Sequence, residues 1–144
     1  MATFTRFEQI ESWKKARLLA AEVYRVTTEG SFARDFGLRD QIRRSAVSVM
    51  ANIAEGFGRG GNKEFISFLS IGRGSAVEVK SHLYVALDAG LIAEGEFKPL
   101  YKLASEAEAL ISGLMKYLST SETRGRKFNQ VAKASNRELN NREP

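Results

Sequence analysis

Apolar residues recur at intervals of three and four through the first 118 positions, the spacing of a buried helix face, and the pattern predicts four long helices. The first, residues 5–28, puts Phe7, Ile10, Trp13, Ala16, Ala20 and Tyr24 on one stripe, widened by Leu19, Val23 and Val26, and Gly30-Ser31 ends it. The second, 34–57, carries Leu38, Ile42, Ala46, Val49 and Ile53, is about 35 Å long, and stops in Gly56-Phe57-Gly58-Arg59-Gly60-Gly61. Asn62 is the expected N-cap of the third, whose stripe is Phe65, Phe68, Leu69, Gly72, Ala76, Val79, Leu83 and Leu87, with Gly90 closing it. Gly72 and Gly74 each cost such a helix about 1 kcal/mol relative to alanine, and close approach of another helix is the expected compensation. The fourth, 96–119, accepts Pro99 in its first turn and lines up Leu100, Leu103, Ala107, Leu110, Ile111, Leu114 and Leu118. Short connections between long helices make neighbours antiparallel. The predicted fold is all-α: an up-and-down four-helix bundle over 1–120 with a flexible, mostly disordered basic tail over 121–144, transiently helical near 127–134.

Composition narrows the chemistry. The chain has 144 residues, 43% hydrophobic and 27% charged, enough for one domain, and no stretch approaches the roughly 18 apolar residues of a membrane span. There is no cysteine, which removes disulfides, thiolate catalysis and cysteine-bound metals. The opening Met-Ala-Thr-Phe-Thr-Arg-Phe-Glu has no apolar signal region, so a cytoplasmic location is expected. The net charge of +5 is uneven. Residues 34–80 hold eight bases against five acids, whereas 88–108 reverse the sign with Asp88, Glu94, Glu96, Glu106 and Glu108 against Lys98 and Lys102. The tail adds Arg124, Arg126 and Lys127. A basic middle and tail fit a polyanion partner, and equally fit self-association of basic with acidic faces.

Gly56-x-Gly58-x-x-Gly61 spells the dinucleotide fingerprint, but that motif works between a strand and a helix, and here a helix precedes it. The phosphate-loop reading fails because Asn62-Lys63-Glu64 supplies no hydroxyl after the lysine. What survives is glycine-rich backbone with Arg59 and Lys63 beside a helix N-terminus. It is either a hold for a phosphate oxygen or, by preference, a plain helix turn with solvated charges. His82, the only histidine, follows Glu78 by four residues, which is the wrong spacing and too few ligands for a di-iron bundle. No histidine–hydroxyl pair suggests catalysis, and Ser45, Ser48, Ser67, Ser70 and Ser75 look like small packing residues. No enzyme activity, cofactor or metal is expected. Asn52, Glu55, Ser75 and Glu78 sit inside apolar surroundings and predict a structural polar network between the second and third helices, with Gln41, Arg43, Arg44 or Arg73 as donors; a functional surface is the rival reading.

An ordered set of residues adds a resemblance: Gly37-Leu38, Gln41 through Val49, Asn52-Ile53-Ala54-Glu55-Gly56, Arg59, Glu64-Phe65, Phe68-Leu69, Gly74-Ser75 and Glu78, with Trp13 and Tyr24 upstream. In these the chain resembles the bacterial 23S rRNA-intervening-sequence, or S23, proteins. It departs from their pattern where Phe32-Ala33-Arg34-Asp35 replaces Phe-Pro-x-x-Glu and where Gly72 stands for alanine, which should alter a helix entrance and a packing contact. The resemblance implies an antiparallel four-helix bundle, a ring-like homopentamer and an association with RNA, and it brings no catalytic residues. It extends to the accessory variability proteins of diversity-generating retroelements, pentameric bundles that bind nucleic acid, by analogy only.

The expected function is a non-enzymatic homo-oligomer that binds RNA or DNA mainly through phosphates. Arg39, Arg43, Arg44, Arg59, Lys63 and Arg73 form its surface, with Arg124, Arg126 and Lys127 as an auxiliary. The alternative is an oligomeric protein–protein adaptor in which the same residues serve packing and subunit contacts. Neither reading involves a membrane.

Overall fold

In the computed structural model the backbone is described for residues 4–140 and the side chains for 4–121. After a single 3-10 turn at Phe7–Gln9 come α1 (Glu11–Thr28), α2 (Gly30–Arg34), α3 (Phe36–Gly58), α4 (Asn62–Asp88) and α5 (Glu94–Asn140). The bundle is made by α1, α3, α4 and α5 in antiparallel order, with α3 and α5 each packed between α1 and α4. Among the described residues no helix is long and apolar enough to cross a membrane.

The apolar stripes are buried as their spacing requires, in two clusters. Leu19, Val23, Phe32, Ile42, Leu83, Ile92, Phe97 and Leu100 fill the end nearest α2. Ile10, Val49, Ile53, Phe65, Leu69, Ile111 and Leu118 fill the other, and Met50 packs against both. Gly90 turns the chain out of α4 at φ +72, so that the amides of Gly90 and Leu91 donate to the carbonyls of Leu87 and Ala86 and close the helix end.

Five boundaries differ from the sequence expectation, one of them the start of α4, where Gly61 is the N-cap and Asn62, the expected cap, is the first helical residue. Ile10 is extended at φ −76, ψ 123, which separates the 3-10 turn from α1. Gly30-Ser31 opens the five-residue α2 instead of a plain turn, because burying Phe32 to 1% exposure repays a local coil-to-helix change. α5 begins at Glu94, so Pro99 lies in its second turn and the hydrogen bond it forfeits belongs to the carbonyl of exposed Gly95. α5 also continues as helical backbone to Asn140, across most of the expected disordered tail; no proline interrupts it after Pro99, and Lys, Arg, Gln and Ala are good helix formers. At the altered entrance to α3, Asp35 serves as N-cap and accepts a hydrogen bond from the Leu38 amide at 3.1 Å.

Close approach of α3 and α4 occurs at two glycines. A Cβ on Gly56 would lie 2.7 Å from the Phe68 Cβ, and one on Gly72 would lie 3.3 Å from the Val49 carbonyl oxygen. Gly74 has nothing within 4 Å, so the expected compensation is met at Gly72 and not at Gly74.

Candidate nucleic-acid interface

Helix periodicity sends the basic residues of α3 in different directions. Arg43 leans onto the last turn of α1. Its Nε donates to Thr27 Oγ1 at 2.7 Å, its Nη2 donates to the Thr27 carbonyl at 3.1 Å, and its guanidinium lies 4.4 Å over the Tyr24 ring. These bonds satisfy a helix C-terminus with a cation, so Arg43 is first a clamp between two helices. Arg39 does the same for α2, donating from Nη1 to the Ala33 carbonyl at 2.9 Å and from Nε to Asp40 Oδ1 at 3.0 Å. Arg44, one residue on from Arg43, is exposed and has no partner among the described residues.

Tyr24, Asp40, Arg43, Arg44 and Val47 together line an open depression of about 330 Å³ between α1 and α3. Tyr24 is 45% exposed, at the edge of the first helix's stripe rather than inside it. Thr27, Tyr24, Asp40 and Val47 are residues that sequence reasoning did not join to the arginines. The available signal was that α1 ends within one helix turn of Thr27, where a cation is favoured.

The other basic positions lie elsewhere. Arg59 is 15 residues beyond Arg44, about 22 Å along the bundle, where it pairs with Glu55 at 3.0 Å and covers the Phe68 ring. Both partners are more than half exposed, so this pair adds little stability. Lys63 is exposed near Arg59, without a partner among the described residues. Arg73 points to α5, with Nη1 3.4 Å from Ser112 Oγ. The expected single surface is therefore two separate basic clusters, at Arg43–Arg44 and at Arg59–Lys63, with Arg39 and Arg73 largely given to contacts within the fold. The side chains of Arg124, Arg126 and Lys127 lie outside the described residues.

The predicted polar network is half present. Asn52 Nδ2 donates to the Ser48 carbonyl at 2.8 Å and to Ser48 Oγ at 3.0 Å, and Ser48 Oγ lies 2.8 Å from Ser75 Oγ. Ser48 is thus the hub across the α3–α4 seam, and none of Gln41, Arg43, Arg44 or Arg73 supplies a donor to it. The signal for Ser48 was its position four residues before Asn52. Glu55 and Glu78 stand outside this network as exposed residues, Glu55 on Arg59 and Glu78 on His82 at 3.2 Å.

A third polar cluster joins α4 to α5. Lys80 donates to Glu108 at 3.0 Å and lies 4.8 Å over the Tyr101 ring, and the bond to Glu108 holds its ammonium above the usual lysine range. Phe97 and Tyr101 stack beside it with Tyr84 inclined to both, but Glu94, Glu96, Glu106 and Glu108 make this the acidic segment, unsuited to phosphate. Among the described residues no group of three or more His, Cys, Asp or Glu could hold a metal ion.

The family model of the 23S rRNA-intervening sequence protein matches residues 8–113. The chain belongs to this family. A solved S23-family structure from Bacteroides thetaiotaomicron, of a protein with unknown function, is similar at TM-score 0.68 and 22% identity over 73% of this chain and 95% of that one. At that identity the likeness concerns the fold. No curated protein matches. For this S23-family chain, the matched span contains both basic clusters and the Ser48 seam, and it ends before the basic stretch that begins at Arg124.

Proposed function

We propose that this S23-family protein is a non-enzymatic homo-oligomer of four-helix bundles, a pentamer by the family resemblance. In this reading it acts in the cytoplasm and binds nucleic acid, RNA foremost, through basic surface residues with low sequence specificity. The observation that carries this reading is Arg44: an exposed, unpaired arginine beside an immobilised Arg43, at a depression that also presents an aromatic ring. A cation without an internal partner keeps its charge available to phosphate. Repetition around an oligomer multiplies a modest patch through effective concentration. The family's description, which refers to 23S rRNA, points the same way.

Self-association draws on a different face. Ile71, Val77 and Val85 are 54%, 47% and 51% exposed on the outside of α4, with Gly74 and Ser81 between them. Three large aliphatic side chains on one helix face favour contact with protein over contact with polyanion. The same face supports the second reading, an adaptor whose partner is another protein.

The test is binding of nucleic-acid-free protein to labelled single-stranded RNA, duplex RNA and DNA across a salt series, with mass determined in parallel. An oligomer whose affinity falls steeply with salt is the expected result. Absence of binding at low salt transfers the assignment to the adaptor, and a monomeric mass removes the oligomer from the reading.

A further inference from the structure

We infer that the depression between α1 and α3 is a subsite for one ribonucleotide unit of single-stranded RNA, an assignment that rests on the nucleic-acid-binding reading above. Five side chains define its chemistry. Arg43 has given Nε and one Nη2 hydrogen to Thr27, which leaves three of its five N–H donors uncommitted on an anchored residue that lines the depression. Arg44 brings a second guanidinium with all its donors free. Tyr24 adds a phenol, and Val47, 41% exposed, an apolar wall. Two guanidinium groups on a single concave surface match the oxygens of a phosphodiester.

Asp40 makes the subsite more selective than a plain anion site. Asp40 lines the depression; its Oδ1 accepts from Arg39, and its Oδ2 has no hydrogen-bond partner among the described residues. That carboxylate repels a free phosphate ion, so the occupant must present a hydrogen-bond donor within a few ångströms of its negative oxygens. A ribose 2′-hydroxyl next to a backbone phosphate has this arrangement, and deoxyribose lacks it. A depression of about 330 Å³ is at the small end of ligand clefts and accepts one unit, whose base must leave its stack to reach Tyr24 and Val47; this favours a single strand over a duplex.

The experiment compares a 12-residue oligouridine RNA with the oligodeoxyuridine of equal length, by fluorescence anisotropy across a salt series, on the full chain and on Arg44→Gln, Asp40→Asn and Lys63→Gln. Arg44 and Asp40 are exposed, so thermal melting should stay at the wild-type value. The wild type should prefer RNA by about three- to tenfold, the net value of one ordinary hydrogen bond. Asp40→Asn should bring that ratio close to one, chiefly by strengthening the deoxy oligomer. Arg44→Gln should weaken both oligomers and reduce the salt slope by about 0.7, the share of one phosphate on a single strand. Lys63→Gln, at the other end of the bundle, should leave the ratio unchanged. Equal wild-type affinity for the two oligomers overturns the subsite and leaves nucleic-acid binding standing. An unchanged ratio in Asp40→Asn, or undiminished binding in Arg44→Gln, does the same. Failure of the wild type to bind either oligomer at low salt overturns the broader reading and the subsite with it.

Discussion

Gly56 and Gly72 lie in the seam between α3 and α4, whereas Gly74, two residues beyond Gly72, lies on the outer surface of α4. The first two are required by space, since a methyl group at either would press against Phe68 or the Val49 carbonyl. Gly74 meets nothing. The adjacent arginines of α3 repeat the contrast: Arg43 is clamped by three contacts to α1, and Arg44 has none among the described residues. Residue type alone thus says little about role along these helices. One step around the helix, about 100°, separates a residue that holds the fold from one available to something outside it.

The most damaging way to disturb this contrast is to fill the seam. Gly56→Ala sets a methyl 2.7 Å from a Cβ that cannot rotate away, so α3 and α4 must separate. Overpacking costs about 1–3 kcal/mol against the roughly 1 kcal/mol gained in helix propensity, for a net loss of up to about 2 kcal/mol in urea unfolding. Next comes the arginine pair. Arg43→Ala removes two charge-assisted bonds from the end of α1 and should destabilise by about 1–2 kcal/mol, while Arg44→Ala should leave the urea midpoint unchanged and weaken RNA binding. Equal midpoints for the two variants would erase the distinction between clamp and free cation.

Gly74→Ala tests the outer face. In dilute solution it should stabilise by about 0.5–1 kcal/mol, and loss of that gain as the protein concentration rises would show that the glycine admits a neighbour.

The smallest effect concerns the α1–α5 link, where Lys15 bonds to Glu106 at 2.7 Å and holds that carboxyl below its ordinary range. A depressed carboxyl contributes stability above its unfolded pKa, and the contribution disappears as pH falls through the folded value. Glu106→Gln should therefore melt slightly below the wild type near neutrality, with the difference shrinking as pH falls below the unfolded glutamate value of about 4.3 and vanishing below the depressed folded value.

The bundle was legible because burial follows periodicity: Ile42, Ala46, Val49 and Ile53 are all at 0% exposure, as are Leu69, Ala76, Val79 and Leu83. The tight contact at Gly72 was legible as well, since a glycine inside a long helix needs compensation. The partners of polar side chains were not, because they depend on azimuth and on where neighbouring helices end. Arg43 could be assigned only once α1 stopped beside Thr27, and Ser48 only once Ser75 lay opposite it. The two basic clusters read as one because Arg59 follows directly on the helix that carries Arg44, yet about four helical turns lie between them.

The division of the core into two clusters, with Met50 in contact with both, also bears on how this chain tolerates change. Methionine adapts its shape more readily than a branched side chain, so adjustments at one end are absorbed before reaching the other. Substitutions around Phe32 and Phe97 should then combine additively with substitutions around Phe65 and Leu118, since the adaptable Met50 is the side chain common to the two clusters. Substitutions at the end that carries the Arg43–Arg44 depression should therefore leave the packing at the glycine-loop end in place, as two halves of one bundle that yield separately.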